Sequence, residues 1–177
     1  MLEIDKRFGK YANPEVERRF LIKDIPSGSE LYSEITDYYV IDTTLRLRND
    51  KREKETHYKL SQKLRVDPES TRMIMHTNLY LTESEFNMFT ALPFNQLSKK
   101  RYKLDSDGTL AWVDVFEGVL NGLVIMEVDF GPDGDPEAFV VPSFVVREVT
   151  DDERFTGGNL ASTTENNLKG ILEEFEK

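Results

Sequence analysis

PEVERRFLIK, Pro14 to Lys23, sets two acids and a base on alternate positions of what otherwise reads as a strand. With a side-chain period of two, Glu15, Glu17, Arg19 and Leu21 share one face, and Val16, Phe20 and Ile22 the other. A strand that carries Glu-x-Glu-x-Arg on one face and apolar residues on the other needs a reason for its charged face. The rest of the chain supplies one.

Working outward, period-two alternation predicts further strands near Ile35–Ile41, Thr44–Asn49, Thr56–Leu64, Arg72–Leu81, Gln96–Leu104, Leu110–Phe116 and Leu123–Phe130. With Glu15–Lys23 that makes eight, enough to close a barrel. Two helices are signalled. TESEFNMFTAL has Thr82 as N-cap with Glu85 three residues later, and Pro93 ends it; STTENNLKGILEEFEK pairs Ser162 with Glu165 as a capping box ahead of an apolar stripe of Leu168, Ile171, Leu172 and Phe175. Turns fall at PSGS, DSDG, LNG and GPDGDP. FVVPSFVVREVT reads as a further strand or a packed loop, and GGN as a turn. The expected architecture is α+β, mainly β: one domain, residues 1–177, with a C-terminal helix over 162–177.

Composition bounds the function. A chain of 177 residues with 38% apolar residues, eleven of them Phe, holds enough apolar surface for one core. It has no Cys, which removes disulfide and thiolate chemistry and fits a reducing, cytoplasmic setting. No run approaches a membrane span. The net charge of −10 argues against unspecific binding to nucleic acid or anionic membrane. The bases are nevertheless gathered in LRLR, YKLSQKLR and SKKRYK.

Sorted by face, those segments place Arg46 with Arg48, Lys59 with Ser61 and Lys63, and Lys99 with Arg101 and Lys103, while Glu127 and Asp129 share a face of LVIMEVDF. An ordinary sheet with one face in water explains any single strand. It does not explain like charges repeated on strand after strand, because like charges directly opposite repel. A shared cavity does: Arg and Lys grip a polyanion, and paired carboxylates hold a hard divalent cation that bridges to it.

These motifs, in this order, resemble the CYTH superfamily, the triphosphate tunnel metalloenzymes. EVERRFLI is similar to the family's opening Glu-x-Glu-x-Lys strand, LRLR to its Arg-x-Arg strand, YKLSQK to its lysine strand and KKRY to its Lys-x-Arg strand. WVDVFEGVLNGLVIMEVDF, the most specific match, and REVTDDERFTGGNLA resemble its later strands and ending. The matches run from about Pro14 to Ala161. LEIDKRF, Leu2 to Phe8, repeats the acidic stripe with Glu3, Asp5 and Arg7, but it runs into GKYANP, where Gly9 and Pro14 interrupt a strand. Residues 1–13 therefore read as an N-terminal extension without a catalytic role.

The resemblance implies a closed eight-stranded antiparallel barrel and metal-dependent hydrolysis of a triphosphate in its tunnel. It implies Arg46, Arg48, Lys63, Arg72, Lys99 and Arg101 as phosphate ligands, and Glu15, Glu17, Asp114, Glu127, Asp129 and Glu148 as ligands for Mg²⁺ or Mn²⁺. Glu15, Glu17, Arg19 and Lys99 form the expected catalytic group. For Asp114 and Glu148 a salt bridge to Lys or Arg is the competing role. Inorganic tripolyphosphate or a nucleoside triphosphate is the expected substrate, with class IV adenylate cyclase, thiamine triphosphatase or non-catalytic polyphosphate binding as alternatives, in a monomer or homodimer. The sequence departs from the family pattern at Arg19 in place of Lys, at Asp129 in place of Glu, and at Ile74 and His76, where many members carry an acidic pair. His76 is a candidate ligand or proton carrier, though a lone His beside Met73 and Met75 is more often structural. Trp112, Phe116 and Phe130 are expected in the core.

Overall fold

A computed structural model of the chain describes residues 8–67, 72–106 and 108–175. The strands are β1 (Asn13–Ile22), β2 (Glu30–Val40), β3 (Leu45–Lys51), β4 (Thr56–Arg65), β5 (Met73–Leu81), β6 (Phe94–Ser106), β7 (Thr109–Phe116), β8 (Val124–Asp129) and β9 (Val145–Glu148). Every pairing among them is antiparallel, in the order β5-β4-β3-β2-β6-β7-β8-β1, and β1 closes the ring back onto β5. The result is a closed eight-stranded barrel, mainly β, with one strand added.

That ninth strand shows how the ring closes. One edge of β1 pairs Asn13–Val16 with β5, and the same edge then pairs Phe20–Ile22 with β9. FVVPSFVVREVT is thus a strand over its second half, covering the backbone donors and acceptors that β5 leaves bare. Glu3, Asp5 and Arg7 lie outside the described residues.

The helices are short. α1 (Glu83–Phe89) begins on a capping box in which Thr82 and Glu85 bond each other's backbone, as expected. α2 (Gly157–Ala161) forms where GGN reads as a turn. α3 (Glu165–Glu173) starts later than STTE suggests: its cap is Thr164, whose side chain accepts the Asn167 N–H, whereas Ser162 Oγ donates to the carbonyls of Gly158 and Asn159 at the end of α2. No helix of the described residues is long and apolar enough to cross a membrane.

Alternation on β1 divides the apolar residues. Leu21 joins Leu97, Phe116, Leu123 and Ile125 with Phe155, Leu160 and Leu168, so α2 and α3 pack on one end of the barrel. Phe20 and Ile22 face the other way, onto Ala111, Val113, Met126 and Val128, under Phe130 and Phe139. Burying one such side chain stabilises the fold by about 1.5–3 kcal/mol. Phe116 and Phe130 sit in these clusters, and Trp112 stacks on Tyr32 with ring centres 4.9 Å apart.

Candidate functional site

The inward faces of the barrel strands, with the Phe155–Leu160 segment, enclose a cavity of about 410 Å³. β1 contributes Glu15, Glu17 and Arg19; β3 contributes Arg46 and Arg48; β4 contributes Ser61, Lys63 and Arg65; β6 contributes Lys99 and Arg101; β8 contributes Glu127. Each set falls at alternate positions, so the period of the strand is what aims these side chains at one space. Seven basic side chains meet three carboxylates there. Leu97, Phe116, Ile125, Thr156, Gly157, Gly158 and Leu160 also line it, mostly without charge, at the end where α2 packs.

Buried acids behind the wall fix several of the bases. Asp37, fully buried on β2, accepts two bonds from Arg48, Nε at 2.6 Å and Nη2 at 2.7 Å, and Arg46 Nε lies 3.8 Å away. Asp114 takes Lys99 Nζ at 2.5 Å and Arg101 at 2.7 and 2.6 Å. Burial opposes ionisation of both acids, yet the adjoining guanidinium charges hold both well below the usual carboxylate range. Burial depresses Lys99, with Asp114 opposing that shift. Arg46 also donates to Ser61 Oγ at 3.1 Å.

The carboxylates of the wall have unequal surroundings. Glu15 meets Lys63 Nζ at 3.1 Å and His76 Nδ1 at 2.8 Å; burial opposes its charge, but His76 and Lys63 outweigh burial and lower its pKa. Glu127 accepts from Arg101 Nη2 at 2.7 Å. Glu17 has its nearest cations, Lys63 and Arg19, at 3.8 and 3.9 Å. Burial raises its pKa, and the charges of Glu127 and Glu15 push the same way against Lys63. The wall is short of positive charge at Glu17.

Other predicted residues stand elsewhere. Asp114 lies behind the bases it binds. Glu148, on β9, is clamped by Arg18 Nε at 3.0 Å and Nη2 at 2.6 Å, on the opposite face of β1 from Glu17. Asp129 is exposed and accepts the Gly131 N–H at 2.8 Å. Arg72 reaches Asp151 at 3.0 Å and Glu137 at 2.8 Å, away from the cavity lining. The like-charged stripes expected from the sequence are interleaved in part: Asp37 stands opposite Arg48 and Asp114 opposite Arg101, whereas Arg48 also stands opposite Lys59 and Glu17 opposite Asp129. Where many relatives are expected to carry an acidic pair, buried Ile74 and half-buried His76 line the wall beside Glu15.

Three lining or supporting residues were not singled out from the sequence: Asp37, Tyr39 and Arg65. An acid centred in EITDYYV, on the face shared by Ile35 and Tyr39, is the signal for Asp37. Tyr39 is half-buried and lines the cavity; burial and then the Asp37 charge raise its pKa, which keeps it a phenol and a hydrogen-bond donor. Arg65 pairs with Glu153.

Whether these residues suit a divalent ion is answered by the donors. Glu15, Glu17 and Glu127 are hard oxygen donors on one wall, and the charge deficit at Glu17 is what a cation would relieve. Among the described residues no three His, Asp or Glu gather closely enough to cage a metal by themselves. Mg²⁺ needs no such cage, because one or two carboxylates plus substrate phosphates suffice. The site fits an ion brought in with an anionic ligand.

Fold and cavity together define a closed antiparallel β-barrel whose cavity is lined by bases and carboxylates. An inorganic triphosphatase of Nitrosomonas europaea is 30% identical over 149 residues, 83% of this chain and 96% of that protein. One from Acetivibrio thermocellus is 38% identical over 73 residues, 41% of this chain and 46% of that protein. A crystal structure of an inorganic triphosphatase superposes with a TM-score of 0.57 at 28% identity, across 84% of this chain and 95% of that one. No protein-family model matches the chain. The chain belongs to the CYTH superfamily, the triphosphate tunnel metalloenzymes, in the family of the Nitrosomonas inorganic triphosphatase.

Proposed function

We propose that this protein hydrolyses the terminal phosphoanhydride of a triphosphate, with inorganic tripolyphosphate as the favoured substrate and Mg²⁺ or Mn²⁺ as cofactor. One observation carries the reading: seven bases and three carboxylates line a single barrel cavity of about 410 Å³. The relationship to inorganic triphosphatases supports the same chemistry.

Arg46, Arg48, Lys63, Lys99 and Arg101 bind the phosphate oxygens and take up charge that develops on them as the bond to the leaving diphosphate breaks. Asp37 and Asp114 hold Arg48, Lys99 and Arg101 in place before substrate arrives, so little reorganisation remains for the reaction. Glu15, Glu17 and Glu127 would hold the divalent ion, which when bound supplies further neutralisation of the phosphate oxygens. A water oxygen bonds to the terminal phosphorus as the bridging P–O bond breaks, and the water proton passes to a carboxylate of that wall. Arg72, Asp129 and Glu148 have no direct part in this scheme.

A second reading, binding of tripolyphosphate without turnover, is favoured by Ile74 and His76, which stand on the cavity wall where many relatives are expected to carry an acidic pair. Release of phosphate from tripolyphosphate and of phosphate or cyclic AMP from ATP, with and without Mg²⁺ or Mn²⁺, decides between them. Metal-dependent phosphate release supports the hydrolase. Cyclic AMP moves the protein to cyclase chemistry, and a raised Tm with tripolyphosphate but no product establishes the binding protein.

A further inference from the structure

Arg19 lines the cavity, and both of its terminal nitrogens are engaged by backbone carbonyls. The Val149 N–H donates to the Arg19 carbonyl at 2.8 Å, and the Arg19 N–H donates to Thr150 Oγ1 at 3.0 Å. The guanidinium then reaches two more groups of the same segment: Nη2 donates to the Thr150 carbonyl at 2.6 Å and Nη1 to the Phe155 carbonyl at 3.2 Å. Arg19 thus holds Val149–Phe155 by main chain and side chain together. That segment runs directly into Thr156, Gly157 and Gly158, which line one end of the cavity.

A second observation shows how tightly that end is placed. Gly157 lies so close to Tyr39 that a Cβ there would stand 1.8 Å from the Tyr39 hydroxyl oxygen. α2 has two glycines among its five residues and no side-chain cap at its start, so local propensity does not account for it. Something in the tertiary structure holds it against the barrel.

We propose that Arg19 is a positioning residue: through the Thr150 and Phe155 carbonyls it holds the Val149–Leu160 segment in place as part of the cavity wall, and it does not itself bind phosphate. Two carbonyls five residues apart suit the planar fork of a guanidinium, whereas a Lys ammonium keeps the charge and loses the fork. The effect on turnover rests on the triphosphatase reading; the tether does not.

The test compares wild type with Arg19→Lys and Arg19→Gln by amide hydrogen exchange of the ligand-free protein and by steady-state kinetics with tripolyphosphate and Mg²⁺. In Arg19→Lys, exchange over residues 149–160 is expected to rise about tenfold with residues 45–51 unchanged. Because the tethered segment forms part of the wall that would receive the anion, kcat is expected to fall at least roughly tenfold while KM stays within about threefold. Unchanged exchange over 149–160 in both variants overturns the tether. A rise in KM at unchanged exchange makes Arg19 a phosphate ligand instead, and faster exchange with unaltered kcat removes its role in the reaction. If the wild type releases no phosphate while both variants loosen 149–160, the hydrolase reading fails and the tether stands. Should Arg19→Gln fail to fold, Arg19→Lys carries the comparison alone.

Discussion

Asp37 and Arg48 face each other across β2 and β3 inside the barrel, joined by two hydrogen bonds of 2.6 and 2.7 Å with Asp37 1% exposed. A buried carboxylate paired this way keeps its charge only because the guanidinium is there. Removing one partner leaves the other charged and dry, which costs about 3–5 kcal/mol. Asp37→Asn should therefore lower Tm at pH 7, by roughly 10 °C for a chain of this size. The folded-state pKa of Asp37 is depressed below its unfolded value, so its stabilisation is present above the unfolded pKa of about 3.9 and is lost as pH falls below it. Thermal melts from pH 7 down to pH 2 should show a steeper acid limb in wild type than in Asp37→Asn. Parallel limbs would remove Asp37 from the acid transition.

Arg46 offers the cleaner test of anion binding, because it donates to Ser61 and stands 3.8 Å from Asp37 without closing a pair with it. Arg46→Ala leaves no acid newly orphaned. The loss of one charge-assisted contact, worth about 1.5–3 kcal/mol, should weaken tripolyphosphate affinity roughly 10- to 100-fold with a small change in Tm. Calorimetric titration with tripolyphosphate measures it, and an unchanged Kd would place the phosphates away from β3.

The strands and their charged faces are legible in the sequence because alternation is a local property: Glu15, Glu17, Arg46, Lys63, Lys99 and Glu127 are all aimed by period two. Which charge meets which is not local. Arg18 finds Glu148 across 130 positions, and Asp37 finds Arg48 only through the β2–β3 register. For Asp114 and Glu148 the sequence leaves open a ligand role, implied by the resemblance, and a salt bridge to Lys or Arg; each is engaged by basic side chains here. The same limit explains GGNLA. Nothing in five residues with two glycines signals a helix; the bonds from Arg19 and the face of Tyr39 give that segment its place.

Gly157 is tied to that face. A Cβ at this position would lie 1.8 Å from the Tyr39 hydroxyl and 2.8 Å from the ring carbon bearing it, so either the ring or the segment must move. Gly157→Ala is expected to destabilise by about 1–3 kcal/mol, as overpacking does. Adding Tyr39→Phe removes the nearer clash and should recover part of that loss, giving a favourable coupling in a double-mutant cycle of Tm or denaturant midpoints. Additive losses would mean the two residues do not press on each other.

Glu17 is where stability and activity should part. Its pKa is raised by burial and by the charges of Glu127 and Glu15, so the folded protein binds a proton there more tightly than the unfolded chain does. For a raised carboxylate the stabilising contribution belongs to low pH and fades as pH rises through the folded pKa, leaving a charged Glu17 as a burden near neutrality. Glu17→Gln removes that burden: in metal-free buffer at pH 7.5 its Tm should exceed that of wild type. The same change removes a hard oxygen donor from the wall, and metal-dependent phosphate release should fall by about 100-fold or more. Added Mg²⁺ with tripolyphosphate should then raise the Tm of wild type more than that of Glu17→Gln, since only the native carboxylate gains from the ion. A Glu17→Gln protein that is both less stable without metal and fully active with it would show that the charge deficit at Glu17 has no part in the site.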